Sequence, residues 1–220
     1  MEEKKQNLLV NTFMWLFIGL FVSFGVSYLA SSSETAINTV YMSFNGLGYI
    51  IFIVCELIVA IALGAFIRKL SPLMAKAFYL LYCALTGLSL CGIFLVYTTT
   101  SIAYVFLLTS AVFGIFALIG KFTKIDLSKF GIYLFVALIA CILCLIINIF
   151  VQSESFNLGI SIILILVFCG YIAYDVNRLL KSDFLDENPE NKSIYFAFEL
   201  FIDFINLFIK LLRFFGKARD

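Results

Sequence analysis

Apolar residues in this chain come in seven long runs, near 10–30, 46–67, 74–97, 102–120, 129–151, 159–180 and 195–215, separated by short polar gaps. A helix needs about 20 apolar residues to cross the hydrocarbon of a bilayer, and each run supplies them. The pattern predicts an all-α polytopic membrane protein with seven transmembrane helices forming one integral domain, 1–220. Positive charge sorts the gaps. Lys4 and Lys5 precede the first run, Arg68, Lys69 and Lys76 lie at the second gap, Lys121, Lys124 and Lys129 at the fourth, and Arg178, Lys181 and Lys192 at the sixth. The gaps around 31–45, 98–101 and 152–158 carry no Lys or Arg. By the positive-inside rule the N-terminus and every basic gap are cytoplasmic.

The last run breaks this order, because seven crossings put Lys217 and Arg219 outside and Lys210 and Arg213 near the outer surface. It either crosses despite its charges or re-enters and returns. Its length, ~31 Å at 1.5 Å per residue, suffices to cross, and crossing is the favoured reading. The first run, preceded by MEEKKQ, exceeds the usual h-region of a signal peptide and lacks an A-x-A site, so it reads as a retained span. Small residues suggest helix contacts at Ser110 and Gly114 in the fourth run, and at Ala84, Gly87 and Gly92 in the third. In the fourth gap, Asp126, Ser128 and the lysines read as a solvated turn and helix start.

Composition agrees: 63% of residues are hydrophobic and 13% charged, against about 45–50% apolar in soluble domains. A net charge of +1, with no basic stripe interleaved with aromatics, sets nucleic acid aside as a partner. The six cysteines all lie inside apolar runs and read as small hydrophobes, the Cys141-x-x-Cys144 pair included. There is no histidine, no G-x-S-x-G and no H-E-x-x-H, so a hydrolase is not indicated and no resident cofactor is expected.

Chemistry is expected where charge stands in hydrocarbon. Glu199, Asp203, Asn206 and Lys210 recur at steps of four, three and four in the last run and therefore share one helical stripe. Asp175 lies near the end of the sixth run, three residues before Arg178. A charge facing lipid costs ~2.5–3.5 kcal/mol even on insertion scales, so these side chains should face protein or a water-filled path. Asp175 and Asp203 lie ~7 and ~12 Å from the cytoplasmic ends of their runs, one layer within a turn of fraying. Two carboxylates close together in a low dielectric cannot both ionise cheaply and would share a proton. The alternative is two static ion pairs, Asp175 with Arg178 and Asp203 with Lys210. Glu56 falls ~18 Å deeper than Arg68 on the second run, either as a functional acid or as a protonated side chain bonded to a neighbouring helix. A retinal-type Schiff base at Lys210 lacks an acid at its depth in the third run, and the Gly-x-Gly-Asp motif of intramembrane aspartyl proteases is missing.

YIAYDVNRLL followed by ELFIDFINLFIKLLRFFG, with LTGLSLCGIF in the third run and GKFTKIDLSKFG before the fifth, resembles the Bax inhibitor-1 family, particularly its bacterial members. The resemblance implies a fold in which the last helix is surrounded by the other six, in a bacterial inner membrane. It implies a pH-sensitive calcium leak gated by an aspartate pair, which by position is Asp175 and Asp203, with Arg68 as the latch. Glu56, Glu199 and Asn206 would line the cation path, and Glu56, Asp175 and Asp203 would offer oxygen ligands to passing calcium. Calcium, protons and the lipid bilayer are then the partners. A second reading is a non-conducting regulator, connected with stress or cell death, that binds a membrane protease. Its docking surfaces would be the first ten residues and the acidic connection KSDFLDENPENK.

Overall fold

The computed structural model describes residues 2–38, 48–182 and 188–219. They form helices α1 (Glu2–Ser31), α2 (Glu34–Ile37), α3 (Gly48–Phe66), α4 (Pro72–Ser89), α5 (Ile93–Val96), α6 (Thr99–Phe122), α7 (Gly131–Val151), α8 (Glu154–Lys181) and α9 (Pro189–Phe215). Single 3-10 turns at Ile67–Lys69, Leu90–Gly92 and Leu127–Phe130 join or extend them. Among the described residues five helical segments are long and apolar enough to cross a membrane: Glu3–Ser31, Pro72–Val96, Thr99–Phe122, Leu127–Val151 and Glu154–Lys181. The chain is therefore a multi-pass α-helical membrane protein.

Contacts divide it into two compact units. The first comprises residues 1–102, 183–201 and 217–220. Within it α1 lies against α4, burying Leu8, Thr12, Leu16, Leu20, Ser23 and Ser27, a stripe with helical spacing. Small residues bring the backbones close. A Cβ on Gly87 would meet the Ser23 carbonyl oxygen and come within 2.9 Å of the Val26 Cβ. Gly19 leaves room for Tyr79, whose hydroxyl donates to the Trp15 carbonyl at 3.0 Å. Helix α4 starts sharply because Ser71 caps it, accepting from the Met74 N–H, and Pro72 follows at a position that needs no donor. The first half of α9 packs Phe198 edge-on to Tyr82 and Phe201 against Tyr79 and Tyr82.

Both ends of α9 are tied into this unit. At its start Asn191 donates to the Leu70 carbonyl at 2.6 Å and Glu190 meets Lys76 at 2.8 Å. Beyond its end the backbone N–H of Lys217 donates to Ser101 Oγ at 2.7 Å. Thr98 N–H donates to the Lys217 carbonyl and Arg219 N–H to that of Val96, around an isolated bridge between Tyr97 and Ala218. The two ties thus sit at opposite ends of the Pro72–Val96 segment.

The second unit holds residues 103–182 and 202–216. Gly120 lets α6 touch α8, since a Cβ there would strike the Ala173 carbonyl oxygen and approach its Cα to 2.9 Å. Asn177 locks the contact, donating through Nδ2 to the Gly120 carbonyl at 3.1 Å and accepting the Leu127 N–H on Oδ1 at 3.4 Å. Gly114, where a contact was expected, has nothing within 4 Å of a built Cβ. The neighbouring Ser110 hydroxyl turns back to its own helix, on the Phe106 carbonyl at 2.8 Å. Phe106 and Phe113 instead pack on Phe204 of α9, at 5.4 and 5.5 Å between ring centres.

The connection before α7 is a solvated cap. Asp126 accepts the Ser128 N–H at 3.1 Å and meets Lys181 Nζ at 3.1 Å. The Ser128 hydroxyl and N–H, then Lys181, hold the Asp126 carboxyl down at about 2, against an ordinary 3.8. A depressed folded value contributes order that is present above pH 3.8 and lost as pH falls through about 2. Amide exchange at 126–130 should therefore speed up over that acid window, and in Asp126→Asn it should be fast already at neutral pH. Equal protection in the two proteins at neutral pH would show that the cap holds nothing.

Candidate functional site

Of the acids expected to matter, Asp175 on α8 and Asp203 on α9 are both buried, each 5% exposed, and both belong to the second unit. Helical spacing places Asp175 on the buried face of α8 with Phe168, Ile172, Val176 and Leu179. Tyr171 lies one turn before Asp175, within electrostatic reach of both Asp175 and Asp203. Asp203 also acts on Cys169. Arg178, at i+3, brings its guanidinium to 3.6 Å from Asp175 Oδ1 and lies over the Tyr174 ring. The first half of the static-pair alternative is thus present in geometry, with a side chain 31% exposed.

The stripe along α9 is visible as exposure. Tyr195, Glu199, Ile202, Asn206 and Lys210 are half-buried at steps of four, three, four and four, while Asp203 and nearly all other positions from 191 to 212 are buried. Asn206 spends its amide on the Ile202 carbonyl, 2.9 Å away. Lys210 lies within electrostatic reach of Arg213 and Cys141.

Glu56 belongs to the first unit. It is half-buried on α3 and accepts a hydrogen bond from Thr86 Oγ1 of α4 at 2.6 Å. Such a bond gives an intramembrane carboxyl a partner on a neighbouring helix. Arg68 lies in the 3-10 turn after α3, and its side chain is outside the described residues. Residues 183–187 of the acidic connection are likewise outside them. Among the described residues no three His, Cys, Asp or Glu side chains gather as a metal site.

Sequence reasoning missed several polar side chains here. Asn177 and Tyr171 stand beside Asp175, and an amide in an apolar run two residues from an acid is itself a signal. Thr86 carries no signal of its own, because hydroxyls in membrane helices usually bond to their own backbone. Asn191 and Lys192, at the end of the acidic connection, and Ser193 after them are 3%, 5% and 1% exposed in the first turns of α9.

Comparison with known proteins narrows the setting. Residues 5–220 match the family described as "Inhibitor of apoptosis-promoting Bax1". The "Inner membrane protein YbhL" of Escherichia coli is 38% identical over 97% of this chain and 93% of its own length. An uncharacterized protein of Borreliella burgdorferi is 35% identical over 100% of this chain and 97% of its own, and one of Rickettsia prowazekii is 40% identical over 66% and 63%. With the match running from the first helix to the tail, and with the YD and DFINLF segments supplying the two buried acids, this chain belongs to the Bax inhibitor-1 family.

Proposed function

We propose that this protein is a passive, pH-sensitive calcium leak in a bacterial inner membrane, gated by Asp175 and Asp203. One observation carries the reading: α8 and α9 each bury an acid, Asp175 and Asp203, in the same unit. Two carboxylates buried in one low-dielectric unit cannot both ionise cheaply, and taking up one proton between them changes a buried charge that biases helix packing. Glu199 and Asn206, half-buried two turns apart on α9, and Glu56 on α3 are the oxygen ligands this reading assigns to a passing cation. Glu56 joins that path only by exchanging Thr86 for the ion. In liposomes loaded with a calcium dye, the purified protein should release calcium at a rate that changes with pH. Release no faster than from protein-free liposomes at every pH would end the reading.

The path requires α9 to cross completely, giving seven spans. Support comes from its ties, near Leu70 and Lys76 at one end and near Val96 and Ser101 at the other. Those anchors bracket a segment of 25 residues that is itself long enough to cross. On the positive-inside orientation the C-terminus is then outside, and Lys217 and Arg219 are held there by backbone bonds against their charge preference. An alkaline phosphatase fused after Asp220 should be active and a green fluorescent protein dark. A bright fluorescent fusion would return α9 to a re-entrant hairpin.

A further inference from the structure

At the turn between α7 and α8 the second unit opens a cleft of about 470 Å³. Its chemistry is split. One wall is apolar: Ile142, Ile146 and Ile149 follow at i, i+4 and i+7 along α7 and extend about 10 Å. Its mouth carries opposite charges, Glu154 from the first turn of α8 and Arg213 from the last turn of α9.

The charges do not pair with each other. Arg213 Nη1 donates to Asn157 Oδ1 at 2.8 Å, which orients the guanidinium and uses one of its five donors. Among the described residues no ion pair joins Glu154 to any cation. Gln152 takes the left-handed conformation at φ 53, and buried Asn148 accepts the Ser153 N–H at 3.2 Å, so the chain reverses sharply at the edge of the cleft. Helix α7 is also the least buried of the five long apolar segments, with 11% of its most apolar stretch covered, so the isoleucine wall faces lipid.

We propose that this cleft seats one phospholipid with a zwitterionic aminophosphate headgroup, its phosphate on Arg213, its ammonium on Glu154 and an acyl chain along Ile142, Ile146 and Ile149. A guanidinium held in place by one bond presents its remaining donors to phosphate oxygens in forked geometry. Basic pockets between membrane helices take lipid headgroups for this reason. The unpaired Glu154 disfavours a purely anionic lipid and selects an amine. Nothing in the site depends on ion passage, so it stands or falls apart from the leak.

The test is native mass spectrometry of the full chain in mild detergent, titrated with phosphatidylethanolamine or phosphatidylglycerol of matched tails. Wild type should bind one phosphatidylethanolamine and prefer it about tenfold over phosphatidylglycerol. Arg213→Gln should weaken both lipids about tenfold, and Glu154→Gln should erase the preference without loss of phosphatidylglycerol. Ile146→Trp, which fills the groove and leaves both charges, should also abolish binding while the circular dichroism spectrum is kept. Unchanged occupancy in Arg213→Gln, or equal affinity for the two lipids in wild type, overturns the assignment. So does displacement of the lipid by millimolar inorganic phosphate alone, which would make the site one for a free anion.

Discussion

Calcium efflux through Asp175→Asn with Asp203→Asn should proceed at one rate across pH 6 to 8, where the unaltered protein's rate should change by about tenfold, the factor given by a ~1.4 kcal/mol bias. The chain has no histidine, so no imidazole titrates in that interval. The single variants should differ from each other. In Asp203→Asn the Asp175 carboxylate and Arg178 keep their 3.6 Å approach while the pH response should disappear. In Asp175→Asn the Arg178 guanidinium loses that carboxylate. With 31% of this side chain exposed, losing the 3.6 Å pair should cost about 1 kcal/mol or less. A pH response that survives in the double variant would place the gate elsewhere, with Glu56 and Glu199 as the remaining acids to replace.

Length and polarity along the chain announce the long helices because a bilayer asks one simple thing of sequence, about 20 apolar residues in a row. Where each helix starts is a more local matter. Apolarity begins at 159, but α8 begins at Glu154, because Ser153 accepts the Phe156 N–H and caps it. Likewise α9 begins at Pro189 and buries Asn191, Lys192 and Ser193 before its apolar run opens. Among the described residues, those three polar side chains are covered by packing that no count along the sequence reveals.

The acids were legible for an energetic reason: charge in hydrocarbon is rare enough that Asp175, Asp203 and Glu56 stand out. Their partners were not, because Thr86 and Asn177 are ordinary polar residues whose role depends on which helix lies opposite. Small residues mislead in the same way. Gly114 and Gly120 look alike in the sequence, six residues apart on α6, and only the azimuth of the helix decides which one faces α8.

That difference yields the largest stability effect expected in the molecule. Gly120→Val should unfold the second unit or force α6 off α8, because the new Cβ meets backbone, the Ala173 carbonyl oxygen and a Cα at 2.9 Å, which cannot rotate away. Overpacking against side chains costs about 1–3 kcal/mol, and a clash with backbone belongs at or above the top of that range. The shift would also break the Asn177 clamp on the Gly120 carbonyl and with it the placement of the 123–130 connector. Asn177→Leu removes the clamp without the clash and should cost less, about 1–2 kcal/mol, since Asn177 makes two hydrogen bonds and each such bond in a membrane averages about 0.6 kcal/mol. Gly114→Val is the matched control: with nothing within 4 Å it adds a side chain to open space and should leave the melting temperature within a degree or two. Size-exclusion profiles after stepwise heating in one detergent rank the three. Equal losses from Gly114→Val and Gly120→Val would mean that α6 responds to bulk anywhere along its length, and the close approach of Gly120 to Ala173 would then explain nothing about stability.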